Sequence, residues 1–437
     1  MEILVFTKKK TNRLFYALDL VLHGQLGLDV RMTTDEGAFS SFDGPKFCYG
    51  DKKIGEAPFQ KCVNLLFEHT ITTQDIRICD DGELKAFFPV YSAESLFPFD
   101  VFAATFYLVS RYEEYLPCRR DKHDRFLAEN SILHKMDMMK KPLVNIWSMR
   151  LGEKLKAFFP FIELKNKKFA FVPTYDVDAA WSYRHKGFYR TTGAFLRDIV
   201  HRNFTEVKTR WKVLTNRLPD PFDTFDYQLK LQKDFKFKAK YFILCGEYAL
   251  NDKNISLKNN AFRTLIKRLG DYALVGIHPS YSSYLDKTKV GSEIFNLSKV
   301  LNREITMSRQ HFLRMRLPET YQILNDLDIR SDYSMGYAEQ PGFRAGIADP
   351  FNFFDLENDA PTKLVVNPFA VMDGTLRDYL NLDTDGSLKI TESLIDEVRA
   401  VNGTFALIWH NETLSDQKRW TGWKKLHNDI LEYAFSK

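Results

Sequence analysis

Residues 163–178 read ELKNKKFAFVPTYDVD, and the reading of this stretch decides the fold. Its polar, basic first half marks a seam, because at Phe169 it gives way to an apolar run with the character of a buried strand. The run closes on Asp176 and Asp178. A strand's period of two puts those carboxylates on one face, and two anions so close invite a cation.

Downstream of the seam the pattern alternates. Strands are expected at 169–174, 240–244, 273–277, 329–334, 364–368 and 404–409, with helix-compatible stretches at 227–234, 261–269, 319–327 and 392–401. That rhythm predicts an α/β fold with a mainly parallel sheet or barrel, whose functional groups gather where strands finish. Asp176 and Asp178 follow the first of these runs, His278 the third and His410 the last. His278, directly before Pro279, is placed to offer a neutral imidazole to a metal. His410 titrates near neutrality and suits a general acid, while Asp373 in NPFAVMDGTL suits the task of orienting that imidazole. Taken singly, each of these residues reads equally as a cap, a turn or a buried structural group; their shared placement argues for one site.

Upstream, residues 1–165 read as a smaller α/β module. Short strand-like runs lie at 2–6, 62–67 and 86–90, followed by a helix in FDVFAATFYLVSRYEEYLP (99–117) that Pro117 stops. Tyr112, Glu113 and Glu114 read there as an exposed helix end. Between the first two strands of the larger domain, residues 182–218 carry nine Lys or Arg against two acidic residues, with Phe188, Tyr189, Phe195, Phe204 and Trp211 interleaved. Two readings stay open: a solvated basic helix, or a surface that docks an anionic glycan or a lipid-linked sugar at a membrane face.

At 437 residues, 44% of them hydrophobic, the chain buries more than one core, so two domains are expected, 1–165 and 166–437. A formal charge of only +5 argues against a dedicated nucleic-acid binder, and no nucleic-acid partner is expected. Five widely spaced cysteines without a CxxC pair fit a reducing compartment. The start lacks a signal-type apolar region and no stretch holds 18 uncharged apolar residues, so a cytoplasmic location is expected.

TYDVD (174–178), GIHPS (276–280), GFRAG (342–346) and IWHN (408–411), in that order, resemble motifs of the polysaccharide deacetylase superfamily (carbohydrate esterase family 4, NodB homology). FDYQLKLQKDFKFKAKYFIL (225–244) is similar to its helix-then-strand signature. The resemblance spans 166–437 and implies a distorted (β/α) barrel that deacetylates an N-acetylated amino sugar during assembly of surface polysaccharide or lipopolysaccharide. It implies Asp176 as the base, Asp178 and His278 as ligands of a divalent metal, usually zinc, and His410 as the acid. Arg344 would then resemble the arginine that holds the base carboxylate, and Asp373 the partner of His410.

The family pattern places another histidine four residues after the first; here that position is Ser282, a poor zinc ligand. His311, in SRQHFLRM (308–315), is similar to the R-x-H element of a bacterial subfamily and is expected as the third ligand, against a structural role between strand and helix. In the upstream module, the 99–117 stretch followed by DKHDRFLAENSILHK (121–135) resembles the uncharacterised domain preceding this deacetylase in Bacteroidetes-type proteins, which implies an architecture without a chemistry. Ser282 also keeps open a catalytically degenerate glycan-binding or scaffold protein, and the residues alone equally allow another amide or ester as substrate.

Overall fold

A computed structural model describes residues 1–436 as a mixed α/β chain. It divides into two compact units, Met1–Ala170 with Met315–Ala370 and Leu394–Phe405, and Phe171–Arg314 with Val371–Ser393 and Ala406–Lys437. The first crossing lies close to the seam at 165/166, but the division differs from two consecutive domains because later segments return to the first unit. Polar bonds hold them there. Val144 N–H donates to the Gly346 carbonyl at 2.9 Å, Asn145 Nδ2 to Asp349 Oδ2 at 2.6 Å, and the Tyr16 hydroxyl to the Asn352 carbonyl at 2.5 Å.

The first unit contains a four-stranded parallel sheet in the order Asp29–Thr33, Glu2–Thr7, Lys46–Gly50, Phe59–Lys61. Ile3, Leu4 and Val5 are all buried, as expected of a central strand covered on both faces. The helix read at 99–117 is shorter, Val101–Val109, and buried on every side. Asp100 caps it, accepting from Phe102 N and Ala103 N. It ends at Val109, and the φ of 54° at Arg111 keeps the α-helix from running on toward Pro117.

That break corrects the reading of Glu113 and Glu114 as exposed. Arg111 Nε donates to Glu114 Oε1 at 2.7 Å and its Nη2 to Glu113 Oε1 at 2.8 Å, with all three residues buried. The run at 62–67 forms no strand: it holds a 3₁₀ turn, Leu65–Phe67.

In the second unit six strands run in the order Met307–Ser308, Leu274–His278, Lys240–Leu244, Ala170–Val177, Thr404–His410, Val371–Met372. Leu274–His278 pairs in parallel with both neighbours, Ala170–Val177 with Lys240–Leu244, and Val371–Met372 with Thr404–His410. Phe242, Ile243, Leu244, Ile277, Leu407, Ile408 and Trp409 are fully buried, so the continuous apolar runs mark strands covered on both faces. Gly276 is required here: a Cβ on it would lie 2.6 Å from the Met307 carbonyl oxygen of the neighbouring strand.

The barrel expected from the alternation is not what this order describes. The strand order is linear, and no pairing among the described residues closes it. Two strands counted toward the barrel, now Ser331–Asp332 and Ala360–Val366, belong to the first unit. What survives is the parallel sheet and its C-terminal edge, the edge on which such folds carry their chemistry.

Candidate metal centre

Four strand ends of the second unit each deliver a polar side chain to that edge. Asp176 lies in the last turn of pleat of Ala170–Val177, and Asp178 follows it; His278 ends Leu274–His278; Asp373 follows Val371–Met372; His410 ends Thr404–His410. His311 comes from the 3₁₀ turn His311–Leu313, just beyond the strand Met307–Ser308.

These groups meet. His278 Nε2 lies 3.3 Å from Asp178 Oδ1 and 3.8 Å from Asp176 Oδ2, so both acids of the D-x-D do face one space. His311 Nε2 lies 3.5 Å from Asp178 Oδ2. His410 Nε2 also faces the pair, 4.0 Å from Asp176 Oδ2 and 3.9 Å from Asp178 Oδ2.

The far side of each imidazole is held. His278 Nδ1 is 2.5 Å from the Arg309 carbonyl oxygen, and His311 Nδ1 is 3.0 Å from Asp252 Oδ1. Each ring thus donates Nδ1–H outward and turns Nε2 toward Asp178, the arrangement by which outer partners orient metal-binding histidines. Asp252 is itself fixed by the backbone N–H groups of Tyr281 at 2.8 Å and Ser282 at 3.2 Å. Ser282 therefore contributes its main chain, not a ligand: its hydroxyl lies 3.1 Å from that of Ser280.

His410 is gripped by a fully buried carboxylate. Asp373 Oδ1 lies 2.7 Å from His410 Nδ1, while its Oδ2 accepts from His410 N at 2.8 Å and from the Thr413 hydroxyl at 2.5 Å. Burial alone would lower the His410 imidazole, but Asp373 and then the acid pair outweigh it and hold it well above its ordinary value. For His311 the same contest, burial against Asp178 and Asp252, ends with the ring pushed up to about 9. Burial acts to raise the Asp178 carboxyl, yet His311, His278 and His410 together hold it well below the usual carboxylate range.

Asp178, His278 and His311 offer one ligand atom each, all within 4.8 Å of one another. His278 Nε2 stands 3.3 Å from one Asp178 oxygen and His311 Nε2 3.5 Å from the other, each near the spacing of about 3.3 Å between neighbouring ligand atoms of a tetrahedral zinc site with bonds of about 2.0–2.1 Å. Asp178 Oδ1 is also buried without meeting hydrogen-bond geometry to any donor, an anion that a cation would satisfy. The donor set fits a divalent metal of the zinc type.

Arg344 is not in this constellation. Its guanidinium is buried in the first unit and clasps Glu114, Nη2 to Oε2 at 2.6 Å and Nε to Oε1 at 2.9 Å. The arginine that holds Asp176 is Arg309, whose Nη1 donates to Asp176 Oδ1 at 2.7 Å. Asp252 is the second residue that sequence reasoning passed over. Arg309 was legible in the R-x-H pattern that drew attention to His311; Asp252 sits in a loop without any periodic signal.

The parallel α/β unit thus presents an Asp–His–His cluster that could hold a metal ion, beside an arginine-anchored acid and an aspartate-backed imidazole. Comparison with known proteins adds the following. Residues 3–160 match the model of a family of unknown function, DUF7033. No curated protein matches the chain in sequence. Among solved structures, the chain is similar to a Mycobacterium smegmatis protein named as a polysaccharide deacetylase, with 13% identity over 61% of this chain and 85% of that one, at a TM-score of 0.39. It is also similar to the polysaccharide deacetylase Bc1974 of Bacillus cereus, with 11% identity over 61% and 86% and a TM-score of 0.30. A third, named as a polysaccharide deacetylase of Pseudomonas aeruginosa PAO1, gives 11% identity over 62% and 86% and a TM-score of 0.40.

Proposed function

We propose that the second unit is a metal-dependent hydrolase that removes the acetyl group from the nitrogen of an N-acetylated amino sugar. The observation that carries this reading is the convergence of Asp178, His278 and His311 within 4.8 Å, with Asp176 and His410 facing them. The sugar amide as substrate comes from the resemblance of TYDVD, GIHPS and IWHN to polysaccharide deacetylase motifs.

A divalent ion, zinc in the family these motifs resemble, supplies a Lewis acid for the amide carbonyl and lowers the pKa of water when bound. Asp178, His278 and His311 would hold it. Asp176, pinned by Arg309 through Oδ1, keeps Oδ2 directed at the centre, where it accepts the proton of the attacking water. His410, kept protonated beside Asp373, presents Nε2–H to the same space and delivers that proton to the leaving nitrogen. The products are acetate and a free amine, which leaves the sugar one positive charge richer.

The same reading puts the enzyme in the cytoplasm, acting on a glycan or lipid-linked sugar during surface polysaccharide or lipopolysaccharide assembly. Its five unpaired cysteines favour that compartment. A second reading, a catalytically degenerate glycan-binding or scaffold protein, is favoured by Ser282 and by the basic aromatic stretch 182–218. The test is acetate release from an N-acetylhexosamine glycan with zinc present, repeated for Asp176→Asn. Release that disappears in the variant supports the hydrolase; sugar binding without release in the wild type overturns it. Metal analysis of Asp178→Ala and His278→Ala tests the ligand set, which full metal retention in both would exclude.

A further inference from the structure

The helix Phe188–Val200 is built inside out, and the helix after it, Phe204–Leu214, buries Arg210 beside Val213 while leaving two aromatic rings exposed. In a surface helix the apolar stripe faces the protein and the charges face water. Here the first helix turns Asp198 inward, where it accepts from Arg210 of the second helix at 2.6 Å with both residues buried, and Arg210 lies over the rings of Tyr183 and Phe195. The outward face carries Tyr189, Leu196, Ile199 and Val200, a stripe at helical spacing, with Tyr189 90% and Val200 76% exposed. Phe204 and Trp211, one face of the second helix, continue it at 64% and 57%.

The charge on this pair is one-sided. Its two acids are consumed within the unit, Asp198 by Arg210 and Glu206 by Lys418 at 2.7 Å and the Tyr183 hydroxyl at 2.7 Å. Arg202, Lys208, Lys212 and Arg217 have no carboxylate partner among the described residues. Exposed aromatic and branched aliphatic side chains set among unpaired cations are the composition of a helix that lies in the plane of a bilayer, its apolar face among the acyl chains and its cations at anionic headgroups. A polyanion such as RNA would account for the cations but leave Leu196, Ile199 and Val200 in water. No helix of the described residues is long and apolar enough to cross a membrane, so the contact is peripheral.

We propose that residues 188–214 dock this protein on the surface of an anionic lipid bilayer. The surface stands independently of the metal centre, and its failure would leave the hydrolase reading untouched. Each helix, 13 and 11 residues long, spans about 15–20 Å and presents its stripe along its whole length.

The test is flotation of the full chain with phosphatidylcholine vesicles, with and without phosphatidylglycerol. The wild type should bind the anionic vesicles and bind the neutral ones far more weakly. Leu196→Ser with Val200→Ser should weaken binding at least about tenfold, and Arg202→Gln and Lys208→Gln roughly fivefold for each charge removed. These side chains are exposed, so circular dichroism and zinc content should match the wild type in every variant. Absence of binding to anionic vesicles at low salt overturns the proposal. So does binding that the Leu196/Val200 variant leaves unchanged, which would mean plain polyanion attraction. A wild type that sediments as a dimer and a Leu196/Val200 variant that sediments as a monomer would assign the stripe to a second copy of the chain instead.

Discussion

Replacing Asp252 by Asn changes one charge behind one ligand. Asn keeps the shape and one acceptor oxygen, enough for the Tyr281 N–H on Oδ1 but not for the Ser282 N–H on Oδ2, and the anion 3.0 Å from His311 Nδ1 is gone. Loss of such an outer partner costs about 10–100-fold in metal affinity, or roughly 1.4–2.7 kcal/mol, because ring orientation and basicity both suffer. A second effect opposes the first. With its imidazole at about 9, wild-type His311 carries a proton at pH 7 that a metal must displace, a penalty of about 100-fold, and Asp252 is one cause of that high value. The variant relieves part of this competition, so at pH 7 the two effects offset each other. The measurement therefore belongs at about pH 9.5, where the competing proton is largely gone. Zinc affinity would be read by competition with a chromophoric chelator, with Asp373→Asn as the control, since Asp373 backs His410 rather than a ligand. The expected result is a 10–100-fold loss for Asp252→Asn and none for Asp373→Asn. Equal losses in both, or unchanged affinity in Asp252→Asn, would refute the assignment of His311 as a ligand.

Four further outcomes are expected. Zinc binding at pH 7 should release close to one proton from His311, and the release should fade as pH rises through about 9; calorimetry in buffers of different ionisation enthalpy reads it, and pH-independent release would contradict the site. His410→Ala should retain the metal while turnover falls about 10²–10⁴-fold, checked by metal content alongside acetate release. Arg309→Met should cost about 3–5 kcal/mol in urea unfolding, because it strands the buried Asp176 carboxylate. Burial tends to raise Glu114, but Arg344 and Arg111 hold it at about 2, below the unfolded value of 4.5. Its stabilisation is thus full above pH 4.5 and lost as pH falls from there toward 2, about 3 kcal/mol in all, and Glu114→Gln should flatten that acid limb of the unfolding curve.

The strands that place the metal centre were legible because each is a continuous apolar run closed by a polar residue. Asp176, Asp178, His278 and His410 could be picked out at strand ends without knowing how the strands were ordered. Arg344 misled because GFRAG was weighed as a motif, without its partner. Glu114, 230 residues earlier, claims that guanidinium, and no local signal announces so distant a pair. Asp252 stayed hidden for a related reason. It acts through two backbone N–H groups and one imidazole, all supplied by other loops, so nothing in its own neighbourhood marks it. The interleaving of the two units was equally silent, since composition marks where a chain leaves one core but not where it comes back.

The charge balance of the centre explains why two histidines that look alike in sequence take different parts. Asp176, Asp252 and Asp373 are buried and Asp178 is partly so, against one guanidinium, that of Arg309. Such an excess of negative charge is costly away from water and must be met by protons or by a cation. In the metal-free protein, protons on His311 and His410 meet it, which is why both rings are raised. With a dication held by Asp178 the His311 proton would become redundant, since His311 Nε2 faces that same carboxylate. The His410 proton survives, because Asp373 is fully buried at 2.7 Å from Nδ1 and is itself fixed by the Thr413 hydroxyl and the His410 N–H. On the proposed reading one imidazole would be released to bind metal while the other would stay charged as an acid; both rings have a buried carboxylate behind Nδ1, and what differs is the approach of Nε2 to Asp178 Oδ2, 3.5 Å from His311 against 3.9 Å from His410.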